Sequence, residues 1–179
     1  KNNYFSEVIG FHRNSAIPLD ITKESSVMRV SNTIFNESKR IGLFIDATGF
    51  LSDSFFKPEK SYLKLDSNYM NKCFNINTIG PSLLIKHFIP LMLKEKKSIF
   101  MTLSARVGSI EDNYLGGWHS YRASKAALNQ VIKTTSIELH RNKRSTVCIS
   151  VHPGTVKTEL SKDFIKSNNK LLTPHSSVE

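Results

Sequence analysis

Short apolar runs without polar alternation, set between longer helical stretches, most limit the folds open to this 179-residue chain. The runs are Val8–Phe11, Ile41–Asp46, Ser98–Leu103 and Thr146–Val151; the helical stretches are Glu24–Lys39, Asp66–Lys94 and Trp118–Arg141. Strands apolar on both sides are buried on both faces, and strands separated by helices are joined by crossovers, not hairpins. The pattern predicts an α/β fold, a doubly wound, Rossmann-like parallel sheet covered on both faces. Residues 1–179 are expected to form a single domain, long enough for a real core. The gap from Arg13 to Leu19 is too short for a crossover, so Ile17–Ile21 is expected to be an extended stub.

Ligands of doubly wound sheets lie beyond the carboxyl ends of the strands. Asp46-Ala47-Thr48-Gly49, Ser104-Ala105-Arg106 and Pro153-Gly154 all fall at such ends. Tyr121-Arg122-Ala123-Ser124-Lys125 opens the helix between the last two strands. Residues four apart share a helix face, so the Tyr121 hydroxyl and Lys125 ammonium are expected to point into one space. A free tyrosine has a pKa of about 10. A nearby cation stabilises the phenolate and lowers that value, giving a proton donor and acceptor suited to reversible carbonyl/alcohol chemistry. Alone, the spacing is weak, because the wet flank of any lysine-rich amphipathic helix can produce it.

Its ordered company makes it specific. From the N-terminus the chain reads Leu19-Asp20-Ile21-Thr22, Asp46-Ala47-Thr48-Gly49, Asn77, Leu103-Ser104-Ala105-Arg106, Tyr121/Lys125, then Pro153-Gly154-Thr155-Val156-Lys157-Thr158. In that order it resembles the short-chain dehydrogenase/reductase family, in the branch of C-factor-like and sniffer-like carbonyl reductases. The resemblance runs from Val8 to Leu160. It implies an NAD(P)-dependent oxidoreductase moving a hydride between nicotinamide and a carbonyl or alcohol. Tyr121 would pass the proton, Lys125 would lower its pKa and hold the nicotinamide ribose, and Asn77 would position a water. A serine would hydrogen-bond the developing oxyanion. Relatives read Ser-Ser-x-x-Gly-Ser where this chain has Ser104-Ala105-Arg106-Val107-Gly108-Ser109. Counting back from Tyr121 places Ala105 at the catalytic serine, leaving Ser104 as surrogate, with Ser109 as a second option.

The same resemblance assigns a cofactor surface. Asp20 would meet the adenine edge, although an aspartate before a helix is also an ordinary cap. Ala47 and Gly49 would lie close to the adenosine ribose, with Asp46 in place of an asparagine, an acceptor-only carboxylate for an amide. Pro153, Gly154, Val156 and Thr158 would form the turn beneath the nicotinamide. Arg13 follows the first apolar run where NAD-preferring relatives carry an acid, and a guanidinium suits a 2′-phosphate. NADP(H) is therefore the expected cofactor and NAD(H) the alternative. None of the eight glycines forms the family's phosphate-binding turn. The sheet is accordingly expected to be incomplete at the N- and C-termini, the chain being an internal fragment of a longer parent.

A formal net charge of +10 invites a nucleic-acid reading, but the cations are scattered and only Lys94–Lys97 and Arg141–Arg144 cluster. Both clusters follow helical stretches, where cations complement the dipole. The expected partners are a small carbonyl or alcohol substrate and further copies of the parent in a dimer or tetramer, not nucleic acid or membrane. Cys73 and Cys148 read as reduced core thiols of a cytoplasmic protein, and the histidines show no metal-ligand spacing. The substrate pocket would be lined by Gly116–His119 and the polar segment after Pro153. The competing reading is a catalytically weakened signalling or regulatory protein on the same fold.

Overall fold

A computed structural model describes residues 5–158, 160, 161, 164 and 171–177. Three parallel strands, β1 (Leu43–Asp46), β2 (Ser98–Leu103) and β3 (Thr146–Val151), pair in consecutive order. Their register aligns Phe44 with Phe100 and Cys148, and Asp46 with Thr102 and Ser150. The helices are α1 (Glu24–Asn36), α2 (Ser67–Phe74), α3 (Gly80–Phe88) and α4 (His119–Arg141). None of the described helices is long and apolar enough to cross a membrane.

The core forms where α1, α3 and α4 meet the face of the sheet bearing Phe44, Phe100 and Cys148. Val27, Val30, Leu84, Phe88, Leu128 and Ile132 pack there. Phe44 stacks on Phe100 at 4.8 Å between ring centroids and lies 4.7 Å from Phe88. The opposite face is not covered as the apolar runs predict: Ile45 is 55% exposed, Ile99 37% and Val147 47%. Apolar content on both sides of a strand records what each face is suited to pack against, and here only one face meets helices.

Two expected elements differ for identifiable reasons. Residues 8–11 form no strand, and Val8 is exposed while Phe11 packs against the core. A parallel strand is held by hydrogen bonds to a neighbour, and none of the described strands lies beside this segment. The stub at Ile17–Ile21 likewise joins no ladder, as expected. The single helix expected over Asp66–Lys94 is interrupted by a π turn at Asn75–Ile79 and ends in a 3₁₀ turn at Ile89–Leu91. Pro81 has no N–H, and its ring crowds the carbonyl four residues back, that of Asn77. Widening the turn relieves the conflict, and the Gly80 N–H reaches the Asn75 carbonyl instead. Pro90 then stops the α-helical ladder. Asp66 caps α2, accepting the Tyr69 N–H at 2.7 Å.

Candidate active site

The helix carrying Tyr121 and Lys125 starts from an unusual corner. Gly116, Gly117 and Trp118 have φ of 63°, 65° and 55°, three consecutive residues in the left-handed region. Glycine adopts it freely, whereas Trp118 is held there under strain. Two sets of bonds fix the corner. The Arg122 guanidinium donates to the Gly117 and Gly116 carbonyls at 2.9 and 3.3 Å. On the other side, the Glu59 carbonyl accepts the Trp118 N–H at 2.5 Å, and its carboxylate accepts the Ser120 N–H and hydroxyl.

Tyr121 is 6% exposed and Lys125 3%. The Lys125 ammonium donates to the Leu103 carbonyl at 2.9 Å. Burial pushes its pKa down to about 8, with the Asp46 carboxylate opposing the shift. Tyr121 behaves contrary to the expectation of a lowered value. Burial pushes it up to about 12, with Cys73 adding to the rise. The reason is geometric: the ammonium points at the end of β2, so desolvation dominates at the phenol.

Asn77 is fully buried on the inner side of the π turn. Its Oδ1 accepts the Phe50 N–H at 2.7 Å, while Nδ2 donates to the Phe50 carbonyl at 2.9 Å and to Ser124 Oγ at 3.1 Å. The Ser124 hydroxyl in turn donates to the Tyr121 carbonyl. Asn77 thus ties the loop after β1 to the turn of α4 between the two expected catalytic groups. A Cβ on Gly49 would lie 3.9 Å from Asn77 Oδ1 and 4.0 Å from Lys125 Nζ, so these three positions converge. Asp46 is enclosed by donors: Thr48 N–H at 2.9 Å, Thr48 hydroxyl at 2.6 Å and Thr102 hydroxyl at 2.8 Å. Its carboxylate shapes the turn after β1 and faces Lys125 electrostatically.

Ser104 is directed elsewhere. Its hydroxyl donates to Asn129 Oδ1 at 2.7 Å, against α4. Ala105 follows in extended backbone, φ −141° and ψ 147°. Gly108 explains why this loop hugs the helix, since a Cβ there would come within 2.9 Å of the Lys125 backbone carbon.

The expected cofactor surface is gathered only in part. A cleft of about 520 Å³ is lined by His12, Arg13, Ala47, Gly49 and Ile76, among others. Arg13 is exposed at its rim, and the small residues Ala47 and Gly49 leave its floor uncrowded. Asp20 does not cap α1. It accepts the Thr22 N–H and hydroxyl, and this contact first, with Arg13 contributing, lowers its carboxyl pKa. Pro153, Gly154, Val156 and Thr158 do not line the cleft. They form a turn closed by Leu172, whose N–H meets the Thr155 carbonyl and whose carbonyl accepts the Lys157 N–H. The Thr158 N–H is satisfied by Ser161 Oγ at 3.1 Å. Phe164 lies edge-on to Trp118 at 5.0 Å, and Trp118 lies edge-on to Tyr121 at 6.2 Å. The expected pocket walls, Gly116–His119 and the segment after Pro153, therefore meet at Trp118. Most of residues 159–170 lie outside the described residues. Sequence reasoning missed Glu59 and Ser124; Ser124 was legible as the small residue inside Tyr-x-x-x-Lys, whereas nothing in Pro58-Glu59 marks a buried carboxylate.

The family model described as enoyl-(acyl carrier protein) reductase matches residues 4–177. A 1-hydroxy-2-glutathionyl-2-methyl-3-butene dehydrogenase of Rhodococcus sp. (strain AD45) is 31% identical, with 89% of this chain and 66% of that protein aligned. NADPH-bound carbonyl reductase from chicken fatty liver superposes with a TM-score of 0.76 at 26% identity, over 90% of this chain and 65% of that one. The Sniffer carbonyl reductase of D. melanogaster gives 0.75 at 23% identity, over 89% and 65%. The chain thus spans about two thirds of the length of these proteins.

Lys125 should leave a signature in stability against pH. Its folded pKa of about 8 lies below the ordinary 10.5, so the unfolded state binds more protons between those values. Stability contributed by this group therefore rises with pH across the 8–10.5 window. Relative to Lys125→Met, the wild type should gain stability from pH 8 to 10.5, measured by denaturant titration. A flat difference would show that Lys125 is not a desolvated ammonium.

Proposed function

The chain belongs to the short-chain dehydrogenase/reductase family, and on that premise we propose that its full-length protein is an NADP(H)-dependent oxidoreductase acting on a carbonyl or the matching alcohol. The observation that carries this reading is the tie from Asn77 through Ser124 to the Tyr121 carbonyl, with Lys125 Nζ and Asn77 Oδ1 both facing Gly49 at the carboxyl edge of the sheet. Bound NADP(H) would supply or accept the hydride. Ala47, Gly49 and Arg13 would line its adenosine end, and Lys125 together with the Pro153–Thr158 turn its nicotinamide end.

During reduction Tyr121 donates its proton to the carbonyl oxygen as that oxygen gains charge, and the product is the alcohol. Burial leaves the phenol protonated through neutral pH, and efficient donation requires a nearby cation to bring its pKa back toward neutrality. Lys125, one turn along the same helix, would favour phenolate once the proton has left by turning from the Leu103 carbonyl toward the phenol. Asn77 and Ser124 hold the two groups in one frame by bonding the loop after β1 to α4. Trp118 offers an apolar wall beside Tyr121, backed by Phe164. On α4 Ala126, Ala127 and Val131 are half-buried and Ile137 is exposed, which supports packing of the parent as a homo-oligomer.

Tyr121→Phe in the full-length protein should lower carbonyl reduction on the order of a hundredfold or more while cofactor binding stays close to wild type. Wild-type turnover in that variant would remove Tyr121 as proton donor.

Arg13 should favour the phosphorylated cofactor. Because it is exposed, the expected preference is modest, about tenfold in affinity for NADPH over NADH. Arg13→Asp should abolish or reverse that preference in a binding titration, and equal affinities in the wild type would discount the residue.

The regulatory reading is favoured by Ala105 in place of a serine. Since the Ser104 hydroxyl is bonded to Asn129, Ser104→Ala should change turnover little, whereas Ala105→Ser should raise it, by up to about a hundredfold if an oxyanion donor is restored. Loss of turnover in Ser104→Ala would instead make Ser104 the donor. No turnover in either the wild type or Ala105→Ser, across a panel of carbonyls, would favour the regulatory role.

A further inference from the structure

Glu59 lies outside every motif, yet it is 4% exposed, and among the described residues Asp46 is the only other buried carboxylate. It comes from the loop between β1 and α2. Both of its carboxylate oxygens lie within 3.3 Å of the Ser120 N–H, and Oε1 also receives the Ser120 hydroxyl. Its own carbonyl accepts the Trp118 N–H at 2.5 Å, and a Cβ on Gly117 would come within 3.4 Å of that oxygen. Trp118 contributes no side-chain cap to α4 and stands at φ 55°. The first amides of a helix need acceptors, and a negative charge there also complements the helix dipole. A glutamate 61 residues before Ser120 in the sequence provides both.

We propose that Glu59 is the positioning residue of the active site: it clamps the residues on either side of His119 and thereby sets where the Tyr121 phenol stands beneath Trp118. Ser120 immediately precedes Tyr121, so releasing its N–H and hydroxyl frees the first turn of α4. The backbone bond to Trp118 holds the strained corner whose ring is the wall beside the phenol. One residue thus couples the loop after β1 to both the proton donor and its apolar wall. Asn77 and Ser124 make the matching tie one turn further along α4. This inference rests on Tyr121 being the proton donor only for its kinetic consequence, not for its geometry.

Trp118 is the sole tryptophan among the 179 residues, so its emission reads the corner directly. In the full-length protein, spectra are taken for the wild type, Glu59→Ala, Glu59→Gln and Ser120→Ala, each subtracted against Trp118→Phe. Glu59→Ala should shift the Trp118 emission and lower kcat on the order of a hundredfold, as expected when a reacting group is displaced by about 1 Å. The KM for NADPH should stay within about twofold, because the adenosine cleft is untouched. Glu59→Gln keeps one acceptor oxygen and should restore most of both signals, and Ser120→Ala should give a smaller loss in the same direction. If Glu59→Ala fails to fold, Ser120→Ala and Glu59→Gln still decide the matter. Unchanged emission and kcat in Glu59→Ala, or in Ser120→Ala, would overturn the proposal, as would a parallel loss of NADPH binding. Tyr121→Phe run alongside separates the two readings: full activity there defeats the proton-donor assignment, while the emission shifts continue to test the clamp.

Discussion

Parallel pairing in strict register is the constraint on which the site depends. Because Asp46, Thr102 and Ser150 are aligned across the three strands, all three strands end at one level, and the chain leaves the sheet there each time. The loops that follow are thereby brought together, and the Trp118 N–H bond to the Glu59 carbonyl ties the first to the second. A ladder slipped by one residue would turn Phe44, Phe100 and Cys148 away from the helices and scatter the polar ends. Aromatic packing of Phe44 between Phe88 and Phe100 opposes such a slip, which links the core to the chemistry at the edge.

Strands β2 and β3 and helix α4 were readable almost to the residue, because each is long, strongly patterned and bounded by turn-forming residues. The segment at residues 8–11 was not, since a strand needs a partner and apolar composition does not reveal whether one is present. The break at Asn75–Ile79 follows from Pro81, whose presence was visible, but the choice between a kink and a π turn depends on Asn77 finding the Phe50 backbone 27 residues away. Spacing and order single out Tyr121, Lys125 and Asn77 as candidates, and they could not show that Asn77 reaches α4 through Ser124. For Ser104, the sequence allows an oxyanion donor but could not show that its hydroxyl donates to Asn129.

Electrostatics at the edge are governed by desolvation. Lys125 has a backbone carbonyl and the field of Asp46 as compensation, and its proton is held less tightly than in water. Tyr121 has no comparable stabilisation of its phenolate, so helix spacing alone predicted the wrong direction. Two side chains on one helix face can still aim at different neighbours. The i, i+4 rule fixes where Cβ atoms lie, and the long lysine chain decides the rest.

The wet face of the sheet bears on calorimetry. The heat-capacity increment of unfolding and the slope of denaturant titrations both scale with surface that becomes newly hydrated. Ile45, Ile99 and Val147 are already in contact with water in the folded chain. They contribute less to either quantity than fully buried residues would, which lowers the heat-capacity increment and the denaturant slope that these three positions can supply.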